Sequence, residues 1–445
     1  KRFGKEPRWI LSIVSLTAYV LTKVSVTVYA GALVFQTLLP DTFGSPQNAF
    51  WVGAITTVTL TGLYTVAGGL RAVLYTDLLQ TIILLTGSTA ITYFGLIELG
   101  GFNELRVFAS ENVAQYALWR PLSDPDFPWL GILIASPIVG IWYWCTDQYI
   151  VQRTLAAKDL KTARRGALLG AFFKIWPVLI FLVPGLIGAA LNAKGILEIS
   201  IDTNGNIIGD QVFPTMVATL LPEGLRGLVV AGIIAALMSS LSSLFNSTAT
   251  LFTLDIYKKI KPKVSEQKLV LIGRMATLVV VVFGLLWIPI MPMISKGGLY
   301  QYLQSVQGYL APPITAVFLL GLFNSRINNK GATWGLSLGF FAGILKLIIQ
   351  AFFGKEKIAN PELLAYIGDI NFLYFSGILF LFCVLLICLV SYKTELPDEN
   401  QIDGLTYQTI DKETIRESWD QKDIYATGVI LGLVLAIYLY FSFWI

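Results

Sequence analysis

About 20 consecutive apolar residues, wound as an α-helix, cross the roughly 30 Å hydrocarbon core of a bilayer. This sequence holds eleven such stretches, at 9–39, 49–67, 73–98, 129–150, 166–191, 227–256, 269–292, 299–322, 332–353, 371–392 and 424–444. Inside a bilayer every backbone N–H and C=O must be paired within the protein, so each continuous apolar run has to be a helix. The expected fold is all-α and polytopic, with clusters of Pro, Gly, Asn, Asp or charge marking the breaks. Segment 49–67 is short for a crossing, and 227–256 is long and ends in polar residues. Only 13% of the 445 residues are charged and 55% are hydrophobic. That charge content is about half the ~25% of an ordinary soluble domain. Length here counts crossings, and residues 1–445 read as a single transmembrane domain. Its longest polar stretch is net acidic, and 393–423 reads as a cytoplasmic linker before the last helix.

Lysine and arginine placement orients the chain, because cytoplasmic segments carry an excess of them. With the N-terminal end inside, the alternating inside segments hold 21 Lys and Arg and the outside segments hold 7. The expected protein is therefore multi-pass in the plasma (inner) membrane, with its C-terminus outside. The opening Lys1-Arg2-Phe3-Gly4 is basic and runs straight into an apolar helix, without the cleavage site of a signal peptide. It reads as a cytoplasmic loop of a longer protein.

Several function classes fall away. There is no histidine, which excludes Ser–His–Asp hydrolysis, His-ligated metal sites and imidazole proton relays. A net charge of +4 is too small for a nucleic-acid binder. Cys145, Cys383 and Cys388 all sit in apolar stretches and read as small apolar residues. No enzyme and no organic cofactor are expected.

Polar residues at membrane depth are functional candidates by default. The richest set lies in 235–248, where Ser239, Ser242 and Ser243 share one helical face and Ala236 sits a turn earlier. Hydroxyl and carbonyl oxygens are the hard ligands that a dehydrated alkali cation requires. The same small residues would also serve helix packing. Asp77 stands five residues into its expected span, where it could neutralise a cation, carry a proton or cap a helix N-terminus. Trp142-Tyr143-Trp144-Cys145-Thr146-Asp147-Gln148 follows Pro137 and Gly140. Such a segment suits a broken helix whose rings stack on the apolar face of a sugar, or an interfacial aromatic belt. Lys174, Gln304 and Lys23 are scattered polar residues within spans, and Lys23 has no assigned role.

Four segments together resemble the sodium–solute symporter family, sodium–glucose cotransporter branch. They are Gly62–Leu70 with Tyr75-Thr76-Asp77, Trp142 through Arg153, the serine helix ending Leu251–Tyr257, and Tyr309–Pro313. The resemblance implies an inverted-repeat fold of the leucine-transporter type, with its first helices expected upstream of Lys1. It implies a main sodium site using the Ala236 carbonyl and the Ser239 and Ser240 hydroxyls. A second sodium would use Asp77, Ser239, Ser242 and Ser243. The sugar would meet Tyr143 as an inner-gate ring, Trp144 as a wall, and Lys174 and Gln304 as hydrogen-bonding side chains. Asp147 and Arg153 would be structural or gating. The implied function is sodium-coupled symport of a monosaccharide, glucose- or galactose-like, with sodium as coupling ion and the lipid bilayer as its setting. A symporter of another solute, such as myo-inositol or sialic acid, and a transporter-like sensor domain are the alternatives.

Overall fold

The computed structural model describes residues 1–201, 205, 207–291, 298–353, 362–417 and 419–445. The described residues are all-helical, with one isolated bridge between Ile201 and Ile207. In chain order the principal helices are α1 (Lys5–Ala18), α2 (Ser25–Leu38), α3 (Pro46–Leu99), α4 (Phe102–Glu111), α5 (Trp129–Ile141) and α6 (Gln148–Leu155). Then come α7 (Leu160–Pro177), α8 (Val183–Ala193), α9 (Gly209–Leu220), α10 (Glu223–Thr250) and α11 (Glu266–Trp287). The chain ends with α12 (Gly298–Phe323), α13 (Asn329–Phe353), α14 (Glu362–Asp369), α15 (Phe372–Lys393), α16 (Lys412–Glu417) and α17 (Gln421–Ser442). Segments of π-helix at Tyr19–Val24, Trp142–Thr146, Val178–Leu182 and Leu251–Tyr257 interrupt or extend these runs.

Ten helical runs among the described residues are long and apolar enough to cross a membrane. They match ten of the eleven expected stretches. The eleventh is 49–67, whose end lies, with residues 66–79, outside the described side chains. Together with 73–98 it lies in α3, a single helix of 54 residues, whose length is about 80 Å at 1.5 Å per residue. No proline follows Pro46 within it, and the Gly68-Gly69 pair does not end it. Ser45 caps its start by accepting from the Asn48 N–H at 3.2 Å, and Gly100 closes it in the left-handed conformation. The backbone of Asp77 is therefore interior to a helix and not at its N-terminus.

The chain divides into two compact units, each assembled from three separated stretches. The first comprises Lys1–Val24, Pro121–Ala157 and Ser247–Trp419. Its core joins Val14, Trp142, Ala311, Ile314, Leu336, Leu379, Cys383 and Ile387. Helix α12 runs through it, buried along most of its length despite Pro312 and Pro313. Glycines at 331, 335, 339 and 343 form a stripe along α13. A Cβ on Gly343 would stand 2.2 Å from the Tyr309 carbonyl oxygen, and one on Gly331 2.0 Å from Ser391 Oγ. The stripe is thus a small-residue seam that lets α12 and α15 approach the α13 backbone.

The second unit comprises Ser25–Arg120, Lys158–Asn246 and Asp420–Ile445. Its core gathers Ile91, Leu105, Ile187, Leu191, Met216, Val217 and Val229. At one end Arg165 bonds Asp423 at 2.9 Å and Asp420 at 3.1 Å, fastening α17 to α7. All three cysteines are free thiols; Cys383 is buried and Cys145 is exposed.

Candidate functional site

The aromatic segment builds a helix break, as its composition suggested, but the break falls later than Pro137 and Gly140. Helix α5 widens into the π-helical turn Trp142–Thr146, whose end is marked by the Asp147 N–H donating to the Trp142 carbonyl at 3.1 Å. Asp147 itself is extended, with φ −77° and ψ 120°, and α6 begins at Gln148. Its Oδ1 accepts from the Tyr149 N–H at 3.1 Å, a helix cap. The Thr146 hydroxyl donates to the Trp142 carbonyl at 2.7 Å and further stabilises the turn.

A second π-helical turn in the same unit faces this break. Tyr19 and Lys23, one helical turn apart, both lie in the segment Tyr19–Val24. The Tyr19 hydroxyl donates to Asp147 Oδ1 at 2.9 Å, and Lys23 Nζ pairs with Asp147 Oδ2. Tyr19 also accepts from the Tyr149 N–H at 3.2 Å and is hydrogen-bonded to Ser247. The widened turn is held by side chains. Thr22 donates to the Ala18 carbonyl at 2.6 Å, and Tyr302 donates to the Leu21 carbonyl at 2.6 Å. π-Turns of this kind concentrate at functional sites, where they displace a side chain from regular helical register.

The Lys23 ammonium is enclosed by rings. Its Nζ stands 4.1 Å from the Tyr149 centroid, 4.9 Å from Tyr19, 5.1 Å from Tyr143 and 5.8 Å from Trp142. All are within the ~6 Å range of cation–π attraction. Both members of the ion pair are buried, Lys23 at 9% and Asp147 at 5% exposure. A pair taken out of water needs such extra partners to offset its desolvation. Sequence reasoning noticed Lys23 without assigning it and passed over Tyr19 and Tyr149. The available signal was a lysine in mid-span with a tyrosine four residues before it.

The other expected residues are placed as follows. Tyr143 is half-buried, with its ring 5.3 Å from that of Trp144, which is 49% exposed. Arg153 donates to the Tyr149 carbonyl at 3.0 Å within α6. Gln304 is half-buried on α12 of the first unit, and Lys174 is exposed on α7 of the second. Ala236, Ser239, Ser240, Ser242 and Ser243 all lie on α10. Ser242 and Ser243 are fully buried, and Ser242 donates to the Ser239 carbonyl at 2.9 Å. Asp77 lies on α3, but its side chain is outside the described residues. Buried hydroxyls at Thr57 and Thr65 of the same helix have no hydrogen-bond partner among the described residues. They are oxygens that the sequence reading did not single out. Among the described residues no group of three or more Cys, Asp and Glu is arranged to hold a metal ion. The chemistry on offer is noncovalent: ring faces, a buried ion pair and a row of neutral oxygens.

The sodium:solute symporter family matches residues 1–339. The chain belongs to that family. It is 36% identical over 432 residues to sodium/glucose cotransporter 4 of Danio rerio, covering 92% of this chain and 65% of the relative. It is 38% identical to human sodium/myo-inositol cotransporter 2 over 433 residues, covering 92% of this chain and 63% of that one. Rabbit (Oryctolagus cuniculus) sodium/glucose cotransporter 1 is 38% identical over 427 residues, covering 89% of this chain and 63% of the relative. The chain thus spans just under two thirds of the length of these relatives, which are cotransporters and not enzymes. Among solved structures, the substrate-bound outward-open state of a Na+-coupled sialic acid symporter superposes with a TM-score of 0.68 at 22% identity. That match covers 89% of this chain and 76% of the symporter. The fold is the leucine-transporter type expected from the sequence. With ten apolar helices long enough to cross a membrane among its described residues, this symporter-family chain is a multi-pass membrane protein.

Proposed function

We propose that the protein is a sodium-coupled symporter of a monosaccharide, glucose- or galactose-like, working by alternating access in the plasma membrane. The observation that carries this reading is the buried hydroxyl face of α10 in a chain of the sodium:solute symporter family. The Ala236 carbonyl with Ser239 and Ser240 forms the main sodium site. Asp77 with Ser239, Ser242 and Ser243 forms a second, so that two sodium ions accompany each sugar. The Tyr143 ring stacks on the sugar, Trp144 walls it, and Lys174 and Gln304 hydrogen-bond its hydroxyls. Asp147 and Arg153 hold the broken helix. Sodium favours the state that binds sugar, a population shift set by differential binding. Residues 1–445 act as one transporter domain with 393–423 as its linker, since neither compact unit is a contiguous piece of chain.

The N-terminal end is inside and the C-terminus outside. That orientation follows the lysine and arginine bias over the expected crossings. A second reading keeps the mechanism and changes the solute to myo-inositol, on the strength of the 38% identity to a sodium/myo-inositol cotransporter. One uptake panel tests both. Labelled glucose, galactose, myo-inositol and sialic acid are offered to proteoliposomes of the full-length protein in sodium, potassium or choline. Uptake confined to sodium and to glucose or galactose is the expected result; equal uptake in all three salts would refute the coupling.

A further inference from the structure

We infer that Lys23 is a positioning residue for Tyr143, and that its ammonium, held in the box of rings, sets the apparent affinity for the transported solute. The inference rests on the reading of Tyr143 as the stacking ring. Tyr143 lies on the π-turn that leads into the break at Asp147. Two groups fix that turn from outside it. Asp147 anchors its end through Tyr19, Tyr149 and Lys23, and the Lys23 ammonium attracts the Tyr143 ring at 5.1 Å.

The ammonium therefore does two separable things. It neutralises the Asp147 carboxylate, and it holds one face of Tyr143, leaving the opposite face for a solute. A lysine needed only for charge balance would have no reason to sit within 6 Å of four ring centroids. A π-turn at Tyr19–Val24 places Tyr19 and Lys23 on the same carboxylate, Asp147, at once. The Lys23 pocket is a cation box filled from within, so removing the side chain beyond Cβ leaves a space suited to a small alkylammonium ion.

The test separates the two roles in the full-length protein, using sodium-driven uptake of labelled glucose, with labelled myo-inositol as second probe. Lys23→Met leaves Asp147 buried without its countercharge, which lowers stability and expression of this single variant. The neutral pair Lys23→Met with Asp147→Asn removes both charges and keeps an oxygen for the Tyr149 N–H cap. The expected result is a KM for solute raised about tenfold in the neutral pair, with the sodium dependence of uptake unchanged. In a Tyr143→Ala background the Lys23 change should add nothing further to KM. Lys23→Ala, supplied with propylammonium, should regain affinity that choline does not restore. A wild-type KM in the neutral pair, with Tyr143→Ala impaired, would show charge balance alone and overturn the inference. So would an equal effect of Lys23→Met with and without the Tyr143 ring. A wild-type KM in Tyr143→Ala would instead overturn the stacking reading itself and take this inference with it.

Discussion

A single aromatic ring carries much of the proposed solute recognition, and its hydroxyl carries little. Stacking on a sugar uses the ring face, so Tyr143→Phe should keep solute KM within about twofold, whereas Tyr143→Ala should raise it tenfold or more, roughly 1.4 kcal/mol. Uptake kinetics on the two variants decide the point, and an unaffected Ala variant would assign Tyr143 to an interfacial belt. Ser242 offers a sharper test. It is fully buried, bonds back to the Ser239 carbonyl, and is proposed to complete the second sodium site. Reversal potentials should give two sodium ions per solute in the wild type and one in Ser242→Ala, with solute transport retained. A wild-type ratio of one would eliminate the second site. At this scale the sequence was legible wherever spacing alone fixes a face, as at Ser239, Ser242 and Ser243. Lys23 was not legible, because its partner Asp147 lies 124 residues away and only tertiary structure joins them.

Whole helices were the most legible feature, since about 20 apolar residues leave the backbone no other economical pairing. All eleven expected stretches return as helix, and ten match long apolar runs among the described residues. What composition could not show is where a helix continues or widens. Gly68 and Gly69 suggested an interruption that α3 does not make. The π-turns depend on side chains from other helices, such as Tyr302 on the Leu21 carbonyl, and leave no local pattern. The glycine stripe of α13 was readable as a four-residue repeat yet gains its meaning only from the neighbouring backbones. Gly343→Ala drives a Cβ to 2.2 Å from the Tyr309 carbonyl oxygen, and such overpacking costs about 1–3 kcal/mol. Gly170 on α7 has nothing within 4 Å of an added Cβ. Thermal unfolding in detergent should show Gly343→Ala melting several degrees lower and Gly170→Ala unchanged or slightly higher. Equal melting of the two would show that the seam is not closely packed.

At the scale of the molecule, charges outside the spans tie stability to pH. Asp159 accepts from the Thr162 N–H at 2.6 Å at the start of α7, and that bond holds its carboxyl below the ordinary range. Asp420 is held low first by the Lys422 N–H and then by Lys161. A carboxyl depressed on folding contributes stability that is complete above its unfolded pKa, about 3.9. It is lost as pH falls through the lower folded value. Melting temperature should therefore be flat in this respect from neutral pH down to about 4 and decline below it. Asp159→Asn with Asp420→Asn should shrink the acid-side decline; an identical decline would place its origin elsewhere. Neither unit can be recognised from the order of residues alone, because each is drawn from three distant stretches.

The Lys23–Asp147 pair sets a schedule for biogenesis. The two residues are 124 positions apart, an interval of roughly 6–25 s at synthesis rates of about 5–20 residues per second. Throughout it, the span Lys5–Leu38 carries an ammonium in its middle with no counter-ion, a placement that costs about 2.5–3.5 kcal/mol on insertion scales. Nascent chains ended before residue 147 should insert the span that holds Lys23 poorly in a glycosylation-tag assay, and Lys23→Leu should abolish the difference from longer chains. Equal insertion at both lengths would mean that the ammonium is sheltered by the translocation machinery until its partner emerges.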